Sequence, residues 1–99
     1  MDQIQVLNVA KEYAAAVREI MDTNAIFLYG SYARGAATKD SDIDIAVIVD
    51  QIHGDYLDTV AALWKLTRSV NQAIELVLLT VADDHSGFLQ TIQRTGIAV

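Results

Sequence analysis

The stretch Ala25-Ile-Phe-Leu-Tyr-Gly30-Ser-Tyr-Ala-Arg-Gly35-Ala-Ala-Thr-Lys-Asp40-Ser-Asp-Ile-Asp-Ile45-Ala-Val-Ile-Val49 decides the fold. Ala25 to Tyr29 is a continuous apolar run with aromatic and branched residues, as expected of a strand covered on both faces. Gly30 ends it. Ser31 to Ala37, rich in alanine between two glycines, predicts a one- or two-turn helix, and Thr38-Lys39-Asp40-Ser41 a polar loop. Ile43 to Val49 predicts a second strand, with Ile43, Ile45, Val47 and Val49 on one face and Asp44, Ala46 and Ile48 on the other.

Working outward, Ile4 to Met21 carries apolar residues at spacings of three and four (Ile4, Leu7, Ala10, Ala14, Val17, Met21), which is helical. A second stripe of Val6, Val9, Tyr13, Ala16 and Ile20 runs beside it and widens the apolar arc beyond the needs of one surface helix. Gly54 and Asp55 open a third helix through about Val70, with Leu57, Val60, Ala61, Leu63, Trp64 and Val70 on its apolar side. Ile74 to Leu79 predicts a third strand. A last helix is expected from about Asp84 to Thr95, capped by Asp83 or Asp84, with Phe88, Leu89 and Ile92 inward and Gly96 as a stop. Ile97 to Val99 would add a short edge strand. The alternation predicts an α/β (α+β) chain with a small mixed sheet of three to four strands and about four helices.

At 99 residues the chain predicts one compact domain, spanning 1–99, that hides about two thirds of its unfolded surface. Thirteen acidic against seven basic residues leave a net charge of −6, yet 53% of the chain is hydrophobic. Scattered cations among more numerous carboxylates argue against direct nucleic-acid binding, which needs clustered Lys and Arg. The absence of cysteine excludes disulfides, thiolate metal sites and thiol nucleophiles. Apolar runs of five or six residues fall short of a membrane span, and an N-terminus without a basic start and apolar stretch predicts a cytoplasmic address. The surplus of apolar residues points to a covered surface, and the doubled stripe of the first helix is where a partner or a second copy is expected.

Asp44 and Glu75 each interrupt an apolar strand, where an unpaired carboxylate is costly. Asp42 lies two residues before Asp44, on the same side of the pleat. If the second and third strands are neighbours, the three carboxylates can converge, and a hard divalent ion, Mg²⁺ or Mn²⁺, is the counter-charge that oxygen ligands fit. Such an ion commonly faces phosphates. Gly30 and Ser31, at the end of the first strand and the start of a helix, offer backbone N–H groups and a hydroxyl for that purpose. The segment lacks the Lys and Ser/Thr of a Walker loop and the GxGxxG of a dinucleotide fold.

Gly30-Ser31, ten residues, then Asp42-Ile43-Asp44 resembles the GSx10DxD signature of the polymerase-beta-like nucleotidyltransferase superfamily. Gly30-Ser-Tyr-Ala-Arg-Gly35 with Ser41-Asp-Ile-Asp-Ile45 is similar to its minimal single-domain MNT branch. The resemblance extends over nearly the whole chain and places Glu75 at the third carboxylate, a position more often aspartate. It implies that Asp42 and Asp44 hold Mg²⁺, two ions in all, that Gly30 and Ser31 hold the β- and γ-phosphates of ATP, and that Glu75 ligates the second metal or accepts the acceptor's proton. Arg34, Lys39 and Ser41 are further candidates for the triphosphate, although Arg34 and Lys39 also read as solvated loop charges.

Minimal nucleotidyltransferases of this kind are paired with HEPN-domain RNase toxins, so the resemblance implies an antitoxin that adenylylates its toxin on tyrosine. A non-catalytic antitoxin that neutralises the toxin by direct binding is the alternative, and an antibiotic-modifying nucleotidyltransferase the weaker third. Tyr29 and Tyr32 flank the phosphate turn, with packing and nucleotide contact equally open. Trp64 and Tyr13 read as core or interface residues, while His53 and His85 have no metal-ligand spacing.

Overall fold

A computed structural model of the chain describes residues 1–38, 40–83 and 86–99. Its elements are α1 (Gln3–Ile20), β1 (Ala25–Tyr29), the single turn α2 (Gly30–Ala33), β2 (Ile43–Val49), α3 (Tyr56–Val70), β3 (Ile74–Thr80), a 3-10 turn (Val81–Asp83), α4 (Phe88–Thr95) and β4 (Ile97–Ala98). The four strands form one mixed sheet in the order β3-β2-β1-β4. β1 pairs antiparallel with β2 and β4, whereas β2 and β3 are parallel, as a strand–helix–strand crossover through α3 requires.

Local chemistry sets the helix boundaries. Asp2 and Gln5 form a reciprocal capping box at the start of α1, with bonds of 2.8 and 2.9 Å. The Asp55 carboxylate caps α3 through the Asp58 N–H at 3.0 Å. At the other end of α3, the Asn71 side chain accepts from the Ala73 N–H at 2.8 Å and turns the chain into β3.

The main core lies between the sheet and the pair α1 and α3. Ile26, Leu28, Ile43, Ile45, Val47, Ile74, Leu76 and Leu78 meet Val6, Ala10, Tyr13, Ala14, Val17 and Leu63. The Tyr13 hydroxyl donates to the Leu63 carbonyl at 2.8 Å and joins the two helices; burial pushes this phenol well above its ordinary pKa. On the other face of the sheet, α4 lies along β1, and its Leu89 and Ile92 are buried with Ala46 and Ile48 of β2. α4 leaves the Asp44 and Glu75 end of that face accessible, with Asp44 half-buried and Glu75 exposed.

Three expectations change. α4 begins at Phe88 behind Gly87, whose φ of 77° is a left-handed conformation that aspartate adopts poorly. Asp83 instead sits in the 3-10 turn and accepts from the Thr80 hydroxyl at 2.6 Å, and Asp84 and His85 lie outside the described residues. Phe88 is exposed rather than inward. The doubled stripe of α1 is largely taken up by the chain's own core: Val6, Ala10, Tyr13, Ala14 and Val17 are buried, while Ile4 and Ile20 towards its ends stay exposed. Among the described residues the exposed large apolar side chains are Met1, Ile4 and Ile20 at or beside the ends of α1, Tyr56, Leu57 and Trp64 on α3, and Val81 and Phe88 around the turn after β3. Among the described residues, no helix is long and apolar enough to cross a membrane.

Candidate active site

Register brings the predicted residues to one edge of the open face. Asp44 of β2 stands opposite Tyr29 of β1 and beside Glu75 of β3, and neighbouring strands lie about 4.8 Å apart. Gly30 follows Tyr29 with φ 73°, and a Cβ there would overlap Oδ2 of Asp44 and lie 3.1 Å from its Cγ. Glycine is thus required twice at this position, for the turn and for the close approach of the carboxylate. No side chain caps α2 at Tyr29.

The electrostatics identify the same cluster. Burial pushes the Asp44 carboxyl above its ordinary range, the charges of Asp42 and Glu75 push it further, and Arg34 opposes them. The Tyr29 phenol is likewise raised by burial and then by Asp44 and Glu75. Asp42, Asp44, Glu75, Arg34 and Tyr29 therefore share one field. Arg34 is the C-cap of α2 and, among the described residues, is the cation whose charge lowers Asp44. Asp42 precedes β2 and is exposed, as is Glu75, so like charge can splay them into solvent. Accordingly, among the described residues no three acidic or imidazole side chains close on a single point. The donor set still fits a hard cation: all donors are oxygens, and the charges of Asp42 and Glu75 act on Asp44.

Ser41 has a local role. Its hydroxyl accepts from the Thr38 N–H at 2.9 Å, and its own N–H donates to the Thr38 carbonyl at 3.1 Å, which closes the loop before β2. Lys39, the other loop candidate, lies outside the described residues. Tyr32 is resolved as a packing residue, buried and donating its hydroxyl to the Thr38 carbonyl at 3.3 Å. Tyr29 belongs to the site: half-buried, it meets Phe88 edge to face at 5.7 Å between ring centres. Its place directly before Gly30 was the available sequence signal, but only strand register shows that it faces Asp44.

Residues 8–99 match the family Polymerase beta, Nucleotidyltransferase. The chain belongs to this nucleotidyltransferase family. Among its relatives, the protein adenylyltransferase MntA of Shewanella oneidensis is 40% identical over 50 residues, covering 50% of this chain and 32% of the relative. The chain thus spans about a third of that relative's length. MJ1379 of Methanocaldococcus jannaschii, by name a candidate protein adenylyltransferase, is 26% identical over 90 residues, covering 87% of this chain and 85% of its own. A crystal structure of a toxin–antitoxin with AMP-PNP shares the fold at a TM-score of 0.61 and 22% identity, over 99% of this chain and 72% of that one. The nucleotidyltransferase fold here is what sets Gly30-Ser31 at the end of β1 against Asp44 in the middle of the sheet.

Proposed function

We propose that this nucleotidyltransferase is an antitoxin that transfers AMP from ATP to a tyrosine hydroxyl of a HEPN-type RNase toxin, releasing pyrophosphate. The observation that carries the reading is the register of Asp44, held between the Tyr29-Gly30 turn and Glu75. MntA, a named protein adenylyltransferase, and the toxin–antitoxin with AMP-PNP support the acceptor class and the nucleotide.

In this reading the N–H groups at Gly30 and the Ser31 hydroxyl hold the β- and γ-phosphates, and Arg34 adds positive charge beside them. Asp42 and Asp44 would hold Mg²⁺, with Glu75 completing the set for a second ion. The chemistry such an ion would supply when bound is Lewis-acid polarisation of the α-phosphoryl group and neutralisation of charge on the leaving pyrophosphate. The acceptor hydroxyl oxygen forms a bond to the α-phosphorus while the bond from that phosphorus to the bridging oxygen breaks. The electron pair departs with pyrophosphate. In place of ligating the second ion, Glu75 would alternatively take the hydroxyl proton.

Incubating the protein with its co-purifying partner and ATP labelled in the adenine tests the reading. Label on the partner, lost in Asp44→Asn, is expected. Complex formation without label would instead establish neutralisation by binding alone.

A further inference from the structure

Strand direction gives the domain two poles. Asp44 and Glu75 stand near the start of the parallel strands β2 and β3, and the far pole is where β2 ends and α3 begins. The Asn24 N–H donates to the Ile48 carbonyl at 2.7 Å, which brings the end of α1 to that far pole as well. From Asp44 to Val49 the strand advances roughly 17 Å. A cavity of about 480 Å³ occupies the far pole, with Ile20, Met21, Asp22, Ile52, Asp55 and Asp58 among its lining residues. We infer that this cavity docks a partner protein through a segment that carries a large apolar side chain flanked by lysine or arginine. The inference does not rest on the transferase reading, and it concerns a surface that leaves Asp44 and Glu75 uncovered.

Apolar surface and charge meet there. Met21 and Ile52 are partly buried and pack against the core, whereas Ile20 beside them is 52% exposed. Ile52 also lines an adjoining cavity of about 320 Å³ with Tyr56, itself 53% exposed, so the apolar surface continues past the first cavity. Contiguous apolar surface of this kind, rimmed by polar groups, marks interaction sites. The rim here has one sign. Asp22, Asp55 and Asp58 are exposed at the cavity, and among its described lining residues there is no Lys or Arg. The sequence has none between Lys39 and Lys65. Asp55 spends its carboxylate on the cap of α3, but among the described residues the carboxylates of Asp22 and Asp58 accept no hydrogen bond.

That charge decides between occupants. A second copy of this chain would set acid against acid, and nucleic acid or an anionic lipid surface would meet the same sign. A metal ion is not matched either, since among the described residues no three acidic or imidazole side chains close on one point. An apolar side chain inserted among Ile20, Met21 and Ile52, with Lys or Arg reaching Asp22 after α1 and Asp58 on α3, satisfies both the apolar wall and the carboxylates.

A fluorescent helical peptide with a leucine face bordered by lysines, titrated with the full chain and followed by anisotropy, tests the inference. Saturable binding is expected, and none by the same peptide with glutamate for lysine or serine for leucine. Ile20→Ser and the double variant Asp22→Asn/Asp58→Asn alter only exposed side chains, and circular dichroism shows that they keep the wild-type fold. Each is expected to weaken binding about tenfold. Asp42→Asn/Glu75→Gln removes as many charges at the other pole and should leave the affinity within about twofold, because exposed charges beyond a Debye length are screened. No saturable binding, equal binding by the serine-for-leucine peptide, or equal weakening by the two double variants would overturn the inference. A dimer of the chain in sedimentation that Ile20→Ser abolishes would assign the pole to a second copy and overturn it too.

Discussion

Replacing Asp44 by asparagine in metal-free protein removes one charge from a cluster of like charges while keeping nearly the same shape. Glu75 is its direct neighbour on β3, about 5 Å away at strand spacing, and Asp42, just before β2, adds a further like charge. Coulomb's law gives about 0.8 kcal/mol for the nearer pair at the dielectric of water and about 3 kcal/mol at an effective dielectric of 20. Since Asp42 and Glu75 are exposed, solvent screening favours the lower figure, and a net relief of about 1 kcal/mol is expected. In a domain of this size that is a rise in melting temperature of about 4–8 °C at neutral pH.

The pH dependence follows from the direction of the shift. The Asp44 carboxyl is raised in the folded protein, so its ionised form costs stability above the folded pKa. The cost disappears as pH falls through the carboxylate range. The advantage of Asp44→Asn should therefore be full at pH 7 and vanish near pH 3, and it should shrink in high salt. Differential scanning fluorimetry in chelator across pH measures it. An Asp44→Asn protein that melts at or below the wild-type temperature at pH 7 would refute the clustered-acid account.

Gly30→Ala should abolish nucleotide transfer and lower stability by at least about 1–2 kcal/mol, since its φ is 73° and the new Cβ would displace Asp44; chemical denaturation and pyrophosphate release check both. Gly87→Ala, with φ 77° but open space around the Cβ, should cost about 1 kcal/mol and leave transfer intact, which separates backbone strain from carboxylate displacement. Tyr13→Phe removes the bond to the Leu63 carbonyl and should cost about 1 kcal/mol, read as a lower denaturation midpoint with no change in nucleotide binding.

The parts of the fold that were legible in the sequence are those where burial on both faces, or a fixed spacing, leaves one reading. β1 and β2 run as expected, and β3 extends the expected strand only by Thr80. Gly30, Ser31, Asp42 and Asp44 stand out through a spacing that resembles the GSx10DxD signature, and the structure sets Gly30-Ser31 directly after β1 and Asp44 within β2. What escaped depended on which element covers which face. The wide arc of α1 looked like a surplus, yet a helix wedged between a sheet and α3 needs two apolar stripes. Asp83 and Asp84 outweighed Gly87 as the cap of α4, because a left-handed glycine start leaves little trace in residue type. Trp64 is on the apolar side of α3 by periodicity, and only the edge position of β3 shows that its indole borders a cavity with Glu75.

In the proposed function Gly30, Ser31, Asp42 and Asp44 form one nucleotide site that divalent metal completes. Melting temperature with and without Mg²⁺ and the non-hydrolysable ATP analogue AMP-PNP, in wild type and in an Asp42→Asn/Asp44→Asn double variant, tests it most directly. A rise of several degrees is expected in the wild type, requiring both additions and absent from the double variant. Equal rises in the two proteins, or none in the wild type, would contradict it.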